Sequence, residues 1–137
     1  MSDKFEVRDG LLYTKDHEWA RRGDGAVEVG ITAYAVDQLG DITLVNIDVK
    51  VGEEIAAGKP FGTIESVKTL SDLYAPISGK VLKINPALEN QPELINEDSY
   101  DKGWMIAIAP SGDASQGASG PLLSATEYAE LLKLVAH

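Results

Sequence analysis

From Leu11 to about Pro110 the chain is a succession of short β-branched runs, each cut off by Gly, Pro, Asn or Asp, and that punctuation restricts the available folds more than any other feature. Val27-Glu28-Val29, Ile42-Thr43-Leu44-Val45-Asn46-Ile47 and Gly79-Lys80-Val81-Leu82-Lys83-Ile84 read as strands. None of the runs is separated from the next by a long helical period, so alternating β and α units are excluded. The spacing suits a small, all-β sandwich or barrel.

The runs also recur. Gly40-Asp41-Ile42 with Val45 and Ile47 opens one half, and Gly79-Lys80-Val81 with Ile84 opens another. Each half passes through a polar turn region, Val51 to Glu54 in the first and Ala87 to Asp98 in the second. Each then closes on a lysine, an aromatic residue and a β run, Lys59-Pro60-Phe61-Gly62-Thr63-Ile64 and Lys102-Gly103-Trp104-Met105-Ile106-Ala107. The two opening glycines stand 39 residues apart and the two lysines 43, the longer second loop absorbing the difference.

Three helical pieces accompany this core. Thr32 can cap a short helix from Ala33 to Leu39 that ends at Gly40, with Ile31 and Val36 as a hydrophobic staple. Asn85 can cap a turn that has Pro86 at its first helical position. Ser124 and Glu127 form a capping box with Leu123 and Tyr128 as staple, predicting a helix over about 124–136. Tyr128, Leu131, Leu132 and Val135 then share one face, which reads as a packing stripe. Between core and helix, residues 111–120 are mostly Gly and Ser and read as a flexible tether rather than a boundary between domains. The whole chain, 1–137, is expected to be one domain with its β core at about 11–110.

Composition removes several functions. Twelve basic against twenty-two acidic residues give a net charge of -10, which repels nucleic acid and favours partners with basic patches. There is no cysteine, and His17 and His137 are the only histidines, so thiol chemistry, a zinc-thiolate site and a multi-histidine metal site are hard to build. No apolar run approaches the roughly 18 residues that a membrane span requires. The first residues, Met1 to Glu6, have neither the apolar core of a signal peptide nor the character of a transit peptide, and the expected location is the cytoplasm. Covalent or redox chemistry in this chain must therefore come from something attached to it.

The candidate point of attachment lies between the two halves. The segments flanking Val67-Lys68 can pair as antiparallel strands, which puts Lys68 at a hairpin tip, where a side chain projects farthest and a modifying enzyme can grip it. Glu65 and Asp72 flank it, and Ala75-Pro76-Ile77-Ser78-Gly79 is a breaker-rich turn that fixes where the hairpin ends. Taken alone, a lysine on a turn is usually only a solubilising charge. These residues define a displayed lysine between two similar half-domains.

Glu65-Ser66-Val67-Lys68 followed by Ser71-Asp72-Leu73-Tyr74-Ala75-Pro76-Ile77-Ser78-Gly79 resembles the lipoylation hairpin of glycine cleavage H proteins. Lys15-Asp16-His17-Glu18-Trp19 is similar to that family's early His-Glu-Trp segment. Val29-Gly30-Ile31-Thr32, Leu39-Gly40-Asp41, Phe61-Gly62, Leu94-Ile95-Asn96 and Asp101-Lys102-Gly103-Trp104 match in order, and the likeness resumes at Leu122 to Tyr128. Two features depart from the pattern. Thr69 follows the lysine where the family usually has Ala, and the Gly/Ser tether replaces what is usually the opening of the C-terminal helical region.

The resemblance implies a barrel-sandwich hybrid of two pseudo-symmetric β halves, of the biotinyl/lipoyl kind, with short helices and a C-terminal helix. It implies lipoic acid attached to Lys68 as N6-lipoyllysine, with Glu65 and Asp72 in recognition of the hairpin. The chain would be a non-catalytic, monomeric carrier, taking an aminomethyl group from a pyridoxal-phosphate glycine decarboxylase (P protein) to a tetrahydrofolate-dependent aminomethyltransferase (T protein). Dihydrolipoyl dehydrogenase (L protein) would then reoxidise the arm, and a lipoate-attaching enzyme would load it. An aminomethyl thioether loses its carbon readily in water, so a carrier should withdraw it into a shielded cleft with carboxylate partners. The segments that approach the arm in the family correspond here to Asp16, Glu18 and Asp72, with Glu18 expected as chief partner and Asp72 next. His17 and Trp19 are expected to be structural, Trp19 as core.

Competing readings are a relay that donates lipoate to other complexes, and another swinging-arm domain. Biotinyl domains usually place Met on both sides of the lysine, where this chain has Val67 and Thr69, and acyltransferase lipoyl domains usually have Asp before it. An acid–base catalyst such as a small glycosidase, built on the plentiful carboxylates, lacks a pocket at an exposed tip to raise a pKa. A structural adaptor reading basic partners through its charge is the remaining class.

Overall fold

A computed structural model describes residues 5–112, 116–117 and 120–135, the side chain of Gln116 excepted. The segment through Lys4 and the terminal His137 lie outside the described residues. In chain order the elements are β1 (Leu12–Tyr13), β2 (Glu18–Arg22), β3 (Val27–Ile31), α1 (Ala33–Leu39), β4 (Ile42–Ile47), β5 (Glu54–Ile55), β6 (Pro60–Ser66), β7 (Leu70–Tyr74), β8 (Gly79–Ile84), α2 (Ala87–Asn90), α3 (Leu94–Glu97), β9 (Ile106–Pro110), β10 (Gln116–Gly117), β11 (Gly120–Pro121) and α4 (Ala125–Val135).

Two antiparallel sheets enclose the core. One is ordered β1-β2-β3-β9-β8-β5 and the other β4-β6-β7. Their inward faces supply Val29, Phe61, Ile64, Leu73, Val81, Ile106 and Ile108, all essentially inaccessible to water. Burying such aliphatic and aromatic side chains stabilises the fold by about 1.5–3 kcal/mol each, before the entropy of ordering them is counted. This is the barrel-sandwich hybrid expected from the sequence. The internal repeat has a structural signature: β4 shifts register against β6 between Ile42 and Leu44, and β8 shifts against β9 between Val81 and Lys83. Both bulges fall at the same distance from the opening glycines, so the two halves bend at equivalent points.

Local chemistry accounts for the helices. Thr32 Oγ1 accepts the Ala35 amide at the start of α1, and Gly40 ends that helix with φ 79°. Asn85 Oδ1 accepts the Ala87 amide at 3.1 Å, so it caps α2 as expected, although Pro86 precedes the helix rather than opening it. The region from Ala87 to Asp98, expected as a polar turn, contains both α2 and α3. Leu88 and Ile95, one per helix, are buried in the core and pull the loop into two helical turns. At α4 the capping box forms reciprocally, Ser124 N donating to Glu127 Oε1 at 2.9 Å and Glu127 N to Ser124 Oγ at 3.2 Å.

The C-terminal helix docks on the body. Tyr128 and Leu132 are buried with Leu11, Tyr13, Trp19 and Tyr100, and the Tyr128 ring stacks on Tyr13 at 4.5 Å. The stripe is shorter than its periodicity predicts. Val135 is 45% exposed, because the apolar patch that receives the helix ends at Leu132 and the last turn runs on into solvent. The tether is also less free than its composition suggests. Gln116–Gly117 pairs with Gly120–Pro121 in a two-stranded ribbon, and a Cβ at Gly117 would come within 2.9 Å of Leu122 Cδ2 and 3.2 Å of Pro76 O. Close packing, not sequence preference, orders those residues; 113–115 and 118–119 lie outside the described residues.

Candidate functional site

Strands β6 and β7 pair in the register Thr63↔Asp72, Ile64↔Ser71 and Glu65↔Leu70, leaving Val67, Lys68 and Thr69 as the loop. Ser66 holds the turn. Its amide donates to Thr69 O at 2.8 Å, and its Oγ accepts the amides of Lys68 and Thr69, both at 3.2 Å. The tip is tied to the body by the Val67 amide, which donates to Asp41 O at 3.1 Å. The Gly40–Ile42 segment is clamped in turn by Asn96, whose Nδ2 donates to Gly40 O and whose Oδ1 accepts the Ile42 amide, each at 2.9 Å. Sequence reasoning gave Asn96 no role; its side chain matters only once α3 lies beside the hairpin.

Lys68 is exposed and, among the described residues, makes no ion pair. Its aliphatic stem lies over Gly40: a Cβ there would stand 3.3 Å from Lys68 Cε and 3.7 Å from Cδ. Glycine at this point serves both the positive φ of the helix end and the closeness of the lysine stem. Glu65 is exposed on the outer face, paired across the sheet with Leu44 and Leu70, which are 49% and 64% exposed. Asp72 is exposed on the edge strand.

Next to this hairpin lies a cleft of about 170 Å³. Its apolar walls are Ile31, Leu39, Ile64 and Leu73, and its polar lining includes Asp16, His17, Glu18, Tyr34, Gln38 and Asp72. The structure thus brings Asp16, Glu18 and Asp72 around one space, while Glu65 and Lys68 stand outside it. Tyr34 and Gln38, four apart on α1, were not picked out from the sequence; helical spacing was their one available signal. A second cleft of about 290 Å³ on the other side of Glu18 is lined by Asp16, Lys15, Ala75, Pro76 and Leu122, among others.

The β1–β2 turn delivers the acids. Thr14 Oγ1 accepts the amides of Asp16 and Glu18, and Thr14 O accepts the His17 amide at 3.1 Å. His17 closes the turn with φ 67°, the single positive value among the described non-glycine residues. Asp16 remains exposed, but Glu18 is only 3% exposed. One of its oxygens, Oε2, accepts the Tyr74 amide at 2.7 Å; the other, Oε1, is buried without a hydrogen-bond partner among the described residues. Burial pushes this carboxyl up to about 8, against the opposing pull of the Tyr74 amide and with a further push from Asp16. Two neighbouring acids therefore differ sharply in burial.

His17 packs against Tyr34 and Tyr128, and these contacts explain why it lines the cleft. Nδ1 lies 2.9 Å from the Tyr128 hydroxyl, which lies 2.7 Å from Thr32 Oγ1. Desolvation lowers its pKa, with Asp16 opposing. Trp19 is fully buried, its Nε1 donating to Ser99 O at 2.8 Å, and Gly30 opposite leaves room for its ring, since a Cβ there would stand 2.5 Å from Cζ2.

Two bulged antiparallel sheets with a lysine-tipped hairpin between the repeats are the fold of the lipoyl-domain class. The glycine cleavage H-protein family model matches residues 11–135, so the chain belongs to that family. It is 51% identical over 118 residues to the glycine cleavage system H protein of Oceanobacillus iheyensis, covering 86% of this chain and 90% of that one. It is 46% identical over 128 residues to that of Rubrobacter xylanophilus, covering 93% and 96%. A crystal structure of the H protein from Mycobacterium marinum superposes with a TM-score of 0.83 at 39% identity, covering 93% of this chain and 99% of that one. The family is that of a carrier subunit in glycine cleavage and implies a lipoate carrier. Among the described residues no helix is long and apolar enough to cross a membrane.

Proposed function

We propose that Lys68 is the lipoyl attachment point and that the chain shuttles an aminomethyl group from glycine decarboxylase to aminomethyltransferase, with dihydrolipoyl dehydrogenase restoring the arm. The observation that carries this reading is an exposed lysine, without an ion pair among the described residues, on a three-residue loop locked by Ser66, beside a cleft that is apolar along its walls and acidic at its edges. Such a lining fits a long apolar arm that ends in an amine. When bound, the lipoyl group supplies the redox-active sulfur that this cysteine-free chain lacks.

The chain's own residues do the rest. The hairpin presents Lys68 to a lipoate-attaching enzyme, with Glu65 and Asp72 beside it as recognition points. Ile31, Leu39, Ile64 and Leu73 exclude water from the withdrawn arm. Glu18 receives the amine at the inner end, with Asp72 and Asp16 nearer the mouth. No step of glycine breakdown is assigned to a side chain of this protein, which acts as a non-catalytic, monomeric, cytoplasmic carrier that raises the effective concentration of a shared group at several enzymes.

The test is the intact mass of the protein made in a lipoate-competent host. A lipoyl adduct on the native chain and none on Lys68→Arg supports the assignment; an adduct retained by the variant overturns it. Growth on glycine, with lipoylation of other complexes monitored, separates the shuttle from a lipoate relay.

A further inference from the structure

Glu18 presents a physical problem that the carrier role alone does not resolve. A carboxylate in water is solvated on both oxygens, whereas here, among the described residues, Oε1 has no donor and Oε2 has one amide. An unpaired buried charge of this kind is costly enough that the group takes a proton instead. The surroundings give no relief. From the β1–β2 turn come Asp16, a second acidic group, and His17, whose burial disfavours its charged form. From α1 comes Tyr34, from β7 Asp72 and the Tyr74 amide, and across the second cleft Tyr13 and Lys15. Among the described residues no cation forms an ion pair with Glu18.

We propose that Glu18 carries a proton while the cleft is empty and releases it to water when a protonated amine on the arm docks, so that arm withdrawal is coupled to one proton. The inference rests on the reading of the cleft given above. Its balance is simple: the Glu18 O–H bond breaks, the proton joins bulk water, and the amine keeps all its own protons. Beforehand Glu18 is a neutral carboxyl; afterwards its carboxylate and the ammonium neutralise each other. Neither state leaves a net buried charge, which is why a single unpartnered oxygen is tolerated here. The raised pKa of about 8 agrees with this geometry.

The sign follows from linkage. Docking releases a proton, so it is favoured as pH rises and weakens about tenfold for each pH unit below the midpoint of the empty form. It levels off above that midpoint while the amine remains protonated.

The test reads Glu18 directly. The side-chain carboxyl carbon is followed by NMR in ¹³C-glutamate-labelled protein, assigned through bonds from the backbone, across pH 4–9. Three forms are compared: the lipoylated protein, the same protein with its arm reduced and alkylated by bromoethylamine, and a control alkylated by bromopropane. The absence of cysteine confines alkylation to the arm. The expected result is a near-neutral midpoint in the lipoylated and propyl forms, lowered by at least one pH unit in the aminoethyl form. A midpoint in the ordinary carboxylate range in the lipoylated form overturns the proposal by itself. A near-neutral midpoint that the aminoethyl arm leaves unmoved overturns the coupling and, with it, the placing of the amine beside Glu18. A missing lipoyl adduct would instead sink the carrier reading, and the mass spectrum detects that separately.

Discussion

The Tyr128 hydroxyl and His17 Nδ1 lie 2.9 Å apart although 111 residues separate them, and this contact fastens the C-terminal helix to the wall of the arm cleft. The Tyr128 hydroxyl also lies 2.7 Å from Thr32 Oγ1, the cap of α1. Because Thr32 Oγ1 accepts the Ala35 amide, its own proton can pass to Tyr128, whose proton in turn serves His17 Nδ1. Run from Thr32 through Tyr128 to His17, the chain puts the His17 hydrogen on Nε2; run the other way, it puts the hydrogen on Nδ1.

Tyr128→Phe keeps the ring stacked on Tyr13 but breaks the chain. The expected cost is about 1–3 kcal/mol, since Thr32 and His17 both lose a buried partner. Thermal unfolding measures the loss. Nitrogen NMR of the His17 ring should change from a single tautomer to a mixture, a readout that generic destabilisation would leave alone. An unchanged tautomer would show that Tyr128 does not set it.

Glu18 also makes stability depend on pH. Its folded pKa, about 8, lies above the ordinary 4.5, so the folded state holds the proton more tightly than the unfolded state does. Stability therefore falls as pH rises from about 4.5 to about 8 and is flat beyond. Glu18→Gln removes this dependence while keeping an acceptor for the Tyr74 amide. Its melting temperature should exceed that of the native chain at pH 8 by more than at pH 5, by an amount worth up to a few kcal/mol. Equal differences at the two pH values would refute the shift.

Gly40→Ala places a side chain at φ 79° and ψ -150°, a conformation close to glycine's own, and sets its Cβ 3.3 Å from Lys68 Cε. The expected cost is about 1–3 kcal/mol. Displacement of the lysine stem should also slow lipoylation under conditions where the variant is fully folded. Time-resolved intact mass with the lipoate-attaching enzyme checks this; a native rate would mean that Gly40 serves only the helix end.

Asn96→Ala leaves the Ile42 amide and Gly40 carbonyl without their clamp. The loss should be about 1–3 kcal/mol, felt first near the hairpin. Hydrogen exchange at the Ile42 and Val67 amides should quicken before exchange in β3 or β9 does. Uniform acceleration across the sheets would deny the local role.

Much of the fold was legible because its determinants are close in sequence. The strand runs, the Thr32 and Ser124 caps and the Gly40 stop each depend on a few consecutive residues, and the structure has them where those residues stand. Three features failed for want of distant information. Val135 fits the helical period but not the length of the patch that receives the helix, the Ala87–Asp98 turn is drawn into two helices by the burial of Leu88 and Ile95, and Gln116–Gly117 pairs with Gly120–Pro121 where Pro76 and Leu122 stand close to Gly117.

The same division runs through the site. The sequence by itself determined that Lys68 sits at the tip of a hairpin between two strands, since adjacent runs of alternating residues pair with their neighbours and the break between them has nowhere else to go. Only tertiary structure decided that Glu18 and Asp16, two residues apart, would become a buried carboxyl and an exposed one. The Tyr74 amide and the α1 wall at Tyr34 arrive from positions 56 and 16 residues away from Glu18, and dielectric environment is a property of what surrounds a group, not of its place along the chain.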